Sequence, residues 1–526
     1  MANNKIHPFK SKICQNVDKN SILDNVLGFE LDQEQKKAVL SKEKYVLVLA
    51  GAGTGKTLTI IGKIRYLIEI LKINQNDILC ISFTNETVKQ LENKLFRSYK
   101  YKIKIRTFHK IAYEQLKRNN PKIHISNTFT LNNIVDNYFD KIILNQNKEY
   151  SQLIHYISIK KSLAKKSFPT YPQDYYEKEI KKLKNTCIKF IHLIKSNNFP
   201  QDKIIKIINR NKFNLNLKQK QIINFQLKII NNIYEIYKEQ LVNTNTVDFE
   251  DIINESIKYI KDKFKYIIVD EFQDTSYMKY KFLKKLAEIG DSNIITVGDD
   301  FQSIYSFNGC NFSTFINFKK IFKNSKIYKI TNTFRNIQEI IDVAGKFIMK
   351  NKYQLKKNLK SKKHLNKPIK IYYYSNIINF PILKILDKMD INQSIFILGR
   401  NNNDIKYLEN IIELKIQNNK IIYIIKQKLE IRFLTVHSSK GLEADNVIII
   451  NMEDKYNGFP NKIREEKIIY DLNQKIKYHY EEERRLFYVA LTRSKNNVYI
   501  ITKKNNESIF VQEIIKNNKN KIEIIK

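Results

Sequence analysis

The chain has 526 residues, enough for several domains, and its 93 Lys and Arg against 53 Asp and Glu give a formal charge of +40 that favours a polyanionic partner. The lysines are spread evenly among abundant Asn and Ile, as AT-rich coding DNA would produce, so charge alone marks no basic stripe. The absence of a long charge-free apolar run, of a secretory h-region near the N-terminus and of any Cys-x-x-Cys pair among Cys14, Cys80, Cys187 and Cys310 excludes a membrane span, a disulfide framework and a zinc module, and predicts a cytoplasmic protein.

Residues 1–30 are polar and irregular and read as a lead-in. Leu31–Val39 reads as a helix capped near Asp32, with Gln35 on its inner side. An amide just upstream of a phosphate loop can use both faces to read an adenine edge; a solvated helix position is the alternative, and it fits Gln33 better. Tyr45–Leu49 is a short apolar run with β-branched residues, read as a buried strand. It runs into Ala50-Gly51-Ala52-Gly53-Thr54-Gly55-Lys56-Thr57, after which apolar residues continue at helical spacing. Strand, glycine-rich turn and helix form the context of a phosphate-binding loop. The glycines let backbone amides turn toward phosphate oxygens, and the helix start adds partial positive charge. Lys56 is placed to reach the β- and γ-phosphates and the Thr57 hydroxyl to ligate Mg2+. Ile78–Asn85 reads as a second strand and its exit, a helix follows through Leu91 and Leu95, and Ile103–Lys110 reads as a third strand ending in a polar loop. This β-α-β-α-β order predicts a mostly parallel sheet with ligands at the C-terminal ends of its strands.

From Ile111 to Thr246 strand signals fade and segments such as Glu177–Lys195 and Lys218–Glu239 carry helical periodicity, which predicts an inserted helical subdomain. The α/β pattern resumes at Tyr266–Glu271 and Asn293–Asp300. In Val269-Asp270-Glu271-Phe272-Gln273-Asp274 an apolar strand ends on acids. Alone, such a pair merely begins a loop; after a phosphate loop, Asp270 suits the Mg2+ water shell and Glu271 suits orienting or deprotonating an attacking water. Gln302, after the next strand, is long enough to hydrogen-bond a γ-phosphate oxygen. Tyr305 and Phe307 beside it offer faces to nucleobases, although aromatic residues there serve a core as readily. Asn351–Pro368 is basic and loop-like, and strands near Ile369–Tyr374, Ser394–Leu398, Arg432–Val436 and Asn446–Ile450 predict a second α/β unit closed by Asn497–Thr502 and a helix.

These motifs, with Ser82–Asn85, Thr107–His109, Thr333-Phe334-Arg335-Asn336, Leu398–Arg400, Thr435–Glu443 and Glu481–Arg493, stand in the order found in one family. The chain resembles superfamily 1 DNA helicases of the UvrD/Rep/PcrA type, and within them the bacterial DNA helicase IV branch. The resemblance implies an α/β fold of two RecA-like P-loop NTPase domains with an inserted helical subdomain: 31–110 with 247–329, the insertion 111–246, and a second RecA-like domain 330–526. It implies ATP with Mg2+ as cofactors, and single-stranded and tailed duplex DNA as partners, with 3′-to-5′ movement. By the same resemblance Arg335 and Arg493 are arginine fingers, Phe334 stacks on adenine in place of the usual Tyr, and Glu443 approaches the nucleotide sugar. Thr107, His109, His437, Ser438 and Lys440 match residues that contact the DNA backbone, and Phe83, Tyr305 and Phe307 those that hold bases.

The chain departs from that pattern at several places. Phe307 stands where most of the family has Trp, and Asn308 where it often has Arg. In the Glu481–Arg485 run, a solvated helix face is the expectation for at least one of Arg484 and Arg485. The Asn401–Arg432 interval is too short for the large domain that UvrD-type enzymes insert there, and the residues after Arg493 are expected to form a closing strand and helix rather than a fused nuclease domain. Two other readings stay open: release of RNA polymerase from nucleic acid, and a motor subunit serving a separate nuclease.

Overall fold

The computed structural model describes residues 22–126, 130–163, 172–200, 204, 206, 209, 215–305, 309–310, 312–375, 377–463, 465–473 and 480–525. Strands β1 (Tyr45–Ala50), β2 (Ile78–Ser82), β3 (Lys104–Thr107), β6 (Tyr266–Val269), β7 (Asn293–Gly298) and β8 (Lys326–Ile330) form a sheet in the order β3-β2-β6-β7-β1-β8, parallel throughout; β4 (His124–Ile125) and β5 (Thr246–Val247) pair separately. Its central strands are buried nearly end to end, as a sheet covered by helices on both faces requires. Val46, Val48, Ala50, Ile78 and Cys80 pack on one face with helices Gln33–Val39, Lys56–Arg65 and Asn85–Tyr99. Leu47, Leu49, Leu79 and Ile81, one residue out of phase, pack on the other with helices Phe108–Asn119, Phe249–Ser256 and Tyr277–Gly290.

The second sheet is mixed, in the order β11-β12-β13-β10-β14-β15-β9-β16. Its strands are β9 (Ile369–Tyr374), β10 (Ser394–Gly399), β11 (Leu414–Gln417), β12 (Lys420–Tyr423), β13 (Glu430–Thr435), β14 (Ala444–Ile449), β15 (Ser494–Lys503) and β16 (Ile522–Ile525). Helices Gln338–Ile348, Glu481–Leu491 and Ile509–Asn517 share one core with it. Phe301 and Ile304, from the exit of β7 in the first sheet, are buried in that same core, and Phe301 meets Tyr488 edge-on at 5.1 Å. The two sheets are therefore joined by apolar packing at the strand ends of the first. Among the described residues no helix is long and apolar enough to cross a membrane.

The structure revises three sequence expectations and adds a hairpin where none was predicted. Thr107-Phe108-His109 is not a loop: β3 passes directly into helix Phe108–Asn119, with the Thr107 hydroxyl accepting from the Lys110 amide at 3.2 Å as its cap. That helix buries Ile111, Ala112 and Leu116 in the first sheet's core, so the helical insertion begins later than Ile111. Its helices Thr130–Asn145, Lys148–Leu163, Pro172–Asn197 and Leu217–Asn243 form their own core beyond the β4–β5 pair. The Asn401–Arg432 interval holds an antiparallel hairpin, β11–β12, that extends the second sheet. The C-terminal region adds β16, whose four residues gave too short a signal to separate from loop.

Another contact had no sequence signal. Helix Lys467–Asn473, between β14 and β15, buries Ile468, Ile469 and Leu472 in the core of the helical insertion. Glu466 beside it pairs with Lys160 at 2.6 Å and accepts from Gln226 Nε2 at 3.1 Å.

Candidate active site

Adjacent strands β1, β7 and β6 end on one edge, which brings the glycine-rich loop, Asp299–Gln302 and Asp270–Glu271 together. Gly53 and Gly55 have φ of 69° and 76°, left-handed backbone that any side chain would strain. The loop is braced from within: Thr54 Oγ1 donates to the Gly51 carbonyl at 3.1 Å, and Gln35 Nε2 donates to the Thr54 carbonyl at 3.0 Å. Gln35 Oε1 accepts from the Asp32 amide at 2.9 Å, so this fully buried side chain acts here as a buttress of the loop. Helix Lys56–Arg65 starts without a side-chain cap, leaving its first amides facing the loop, and Thr57 follows Lys56 half-buried.

Lys56 Nζ lies 2.7 Å from Glu271 Oε1, and Gln273 Nε2 donates to the other carboxylate oxygen. Glu271 sits in left-handed backbone at φ 48°, uncommon for a residue with a side chain. Burial opposes its ionisation, but Lys56 and Lys440 outweigh burial and hold its carboxyl well below the ordinary range. Asp270 is pushed the other way, first by burial and then by the charge of Glu271, and its Oδ1 accepts from the Glu271 amide at 2.9 Å. Adjacent carboxyls held in opposite directions divide naturally into an ionised acceptor and a group that a bound cation would ionise. Gln273 ties this pair to β7, because its Oε1 accepts from the Asp299 amide at 3.0 Å.

Facing this edge are residues carried by the second sheet's side. The Phe334 amide donates to the Gly53 carbonyl at 2.9 Å, and a methyl added at Gly53 would collide with Arg335 Cβ. Arg335 Nε donates to Glu443 Oε2 at 2.6 Å; the Phe334 ring is exposed. Arg493 is 1% exposed and donates to the carbonyls of Val489 and Leu442 at 3.1 Å and to Gln302 Oε1 at 3.3 Å. Burial, and then the nearby Arg335, pull it down to about 9. Gln302 Nε2 in turn donates to Asp299 Oδ2 at 2.6 Å. Several donors converge here on one loop, a set suited to spread negative charge such as a polyphosphate carries.

A second cluster lies beside the first. The rings of Phe83 and Tyr305 stack at 5.6 Å and 11°, with Lys279 Nζ 4.9 Å over Phe83 and Lys440 Nζ 4.7 Å over Tyr305. The Tyr305 hydroxyl donates to the His437 carbonyl at 3.4 Å. His437 is pushed down to about 4 by burial and by Arg400 and Lys440, and His109, edge-on to Phe249 at 5.5 Å, to about 3 by burial and Lys279. Both rings are therefore neutral at physiological pH. Phe307 and Asn308 lie outside the described residues.

Corrections follow for three cationic side chains. Lys440 does not face outward toward a strand: its ammonium is buried against Asp274 and donates to the Gln302 carbonyl at 2.8 Å. Neither arginine of the Glu/Arg run is solvated. Arg484 pairs with Glu513 at 2.6 Å over the Phe347 ring, and Arg485 donates to the Ser303 carbonyl at 2.6 Å and pairs with Glu481 at 3.1 Å. Sequence reasoning missed Gln273 and Lys279. Gln273 was visible within its motif, whereas a Lys among so many carries no signal of its own.

Comparison with known proteins gives a match to the UvrD/REP helicase N-terminal domain over residues 31–323. The chain is 28% identical over 512 residues to DNA helicase IV of Escherichia coli, covering 93% of this chain and 70% of that protein. It is 30% identical over 449 residues to the ATP-dependent DNA helicase Rep of Buchnera aphidicola, covering 81% of this chain and 62% of that one. Against DNA helicase II of Rickettsia typhi, 28% identity extends over 354 residues, 65% of this chain and 48% of the relative.

Proposed function

The chain belongs to the UvrD/Rep helicase family, and from that premise we propose that it is an ATP-driven DNA helicase that moves along single-stranded DNA, in the 3′-to-5′ direction. The observation that carries this reading is the meeting of the two α/β parts at the glycine-rich loop: Phe334 is hydrogen-bonded to Gly53, and Arg493 to Gln302. A triphosphate held there touches both parts, so its arrival and hydrolysis change the contact between them.

The cations suited to phosphate lie against carboxylates, Lys56 on Glu271 and Arg335 on Glu443. Binding exchanges these partners: Lys56 turns to the β- and γ-phosphates, which releases Glu271 to orient the attacking water and accept its proton. Arg335, freed from Glu443, and Arg493 spread donors over the transferring phosphoryl group. Gln302 senses the γ-phosphate from the loop it shares with Tyr305. Thr57 and Asp270 offer the hard oxygen donors that Mg2+ prefers, and the ion would neutralise phosphate charge. Phe83 and Tyr305 form a stacking platform for bases, with Lys279 beside it, and neutral His109 and His437 contribute hydrogen bonds rather than charge. Binding of this kind weakens steeply with salt and depends little on base sequence.

Duplexes carrying a 3′ or a 5′ single-stranded tail test direction and activity together. Unwinding that needs ATP and a 3′ tail is expected; unwinding only from 5′ tails contradicts the polarity, and none from either contradicts the helicase reading.

A further inference from the structure

Residues 351–363, which join helix Gln338–Ile348 to β9, do not stay with the second sheet. They run back over the candidate active site. Leu359 lies against Gly51, close enough that any side chain at Gly51 would strike it. The Leu355 amide donates to Asp300 Oδ2 at 2.8 Å, and Gln354 Nε2 to the same oxygen at 3.2 Å. Between them Lys357 is inserted, its side chain and those of Asp299 and Asp300 fully buried, its ammonium bonded to both carboxylates and 3.8 Å over the Phe301 ring.

We propose that Lys357 is a positioning residue for the hydrolysis proposed above, acting through Asp299 on the amide of Gln302; the inference rests on that functional reading. Asp299 Oδ1 accepts from Lys357 and from the Phe301 amide at 3.0 Å, while Oδ2 accepts from Gln302 Nε2 at 2.6 Å. An amide has one donating and one accepting end. A charged carboxylate at Nε2 therefore fixes Oε1 toward Arg493, where the 3.3 Å bond is found. Two buried neighbouring carboxyls cannot both stay ionised without a cation between them. With Lys357 gone, Asp299 Oδ1 keeps only the Phe301 amide, so the carboxylate is no longer held against Gln302 and the freed amide can turn its NH2 toward Arg493, donor against donor. This segment of the second α/β part would thus set the orientation of the side chain that reads the γ-phosphate.

A double-mutant cycle of Lys357→Met and Gln302→Ala, read as DNA-stimulated hydrolysis with melting curves alongside, tests this. Lys357→Met should lower kcat by about tenfold or more with the KM for ATP within about threefold, and should lower it less than about twofold further once Gln302 is Ala. If Lys357→Met fails to fold, Asp299→Asn leaves a one-to-one Lys357–Asp300 pair and should show the same loss of effect in the Gln302→Ala background. Full additivity of either variant with Gln302→Ala means that Lys357 only neutralises buried charge, and overturns the inference while leaving the functional reading intact. A Gln302→Ala chain with normal turnover would instead overturn the role of Gln302 itself.

Discussion

Replacing Lys440 by Met separates two accounts of that residue. The family pattern makes it a DNA-backbone contact; the structure buries its side chain to 7% exposure against Asp274, itself 1% exposed. Asp274 Oδ1 has no hydrogen-bond partner, so the variant leaves neither carboxylate oxygen with one. Breaking a buried pair by removing one member costs about 3–5 kcal/mol. Asp274 has a partial escape: burial already pushes it up to about 6 against the opposing Lys440, and without that cation it rises further. A carboxyl whose folded pKa exceeds its unfolded one binds a proton on folding. Stability is then lost as pH rises above the unfolded value, by at most ~1.4 kcal/mol per pH unit for one group. Urea titrations of the variant and the parent at pH 5.5 and pH 8 should show a deficit that is larger at pH 8. The salt dependence of single-stranded DNA binding should keep its slope. A variant with unchanged stability and a log–log salt slope reduced by about one would refute the buried-pair argument and restore the DNA contact.

Arg335→Ala should lower ATP turnover by about a thousandfold while nucleotide binding changes little, because the guanidinium acts mainly on charge developed in the transition state; weakened binding with normal kcat in a nucleotide titration speaks against a finger. Tyr305→Ala should weaken single-stranded DNA binding by about 1–3 kcal/mol, the worth of one stacked base, with the KM for ATP preserved; fluorescence anisotropy with short oligonucleotides measures it, and unchanged affinity removes the ring from the platform. His109 and His437, held down to about 3 and about 4, resist protonation in the fold but not when unfolded. Stability should therefore fall as pH drops from about 6.5 toward 4, and His437→Gln should flatten that fall in melting temperature unless the ring already titrates normally.

Much of this architecture was legible because the signals were local. A buried parallel strand writes itself as a short apolar run, and β1, β2, β6 and β7 were found that way. The glycine-rich loop was legible because Gly53 and Gly55 hold backbone that other residues avoid. What escaped depends on distant partners. Lys357 is one basic residue in a basic loop until Asp299 and Asp300 close around it. Arg484 and Arg485 look solvated in a charged run because Glu513 and the Ser303 carbonyl are remote in sequence. The turn from β3 into helix Phe108–Asn119 looks like a polar loop in sequence because strand and cap share the same extended backbone, and only the helix that follows tells them apart. Docking of helix Lys467–Asn473 on the insertion was beyond reach, since an amphipathic helix does not name its partner.

The central claim is that one ATP site, made from both α/β parts, powers movement on single-stranded DNA. Steady-state ATP hydrolysis with and without single-stranded DNA, for the parent chain and for Lys56→Ala, tests it most directly. Turnover that rises many-fold with DNA and disappears in Lys56→Ala is predicted. Hydrolysis indifferent to DNA, or undiminished without the Lys56 ammonium, would contradict it.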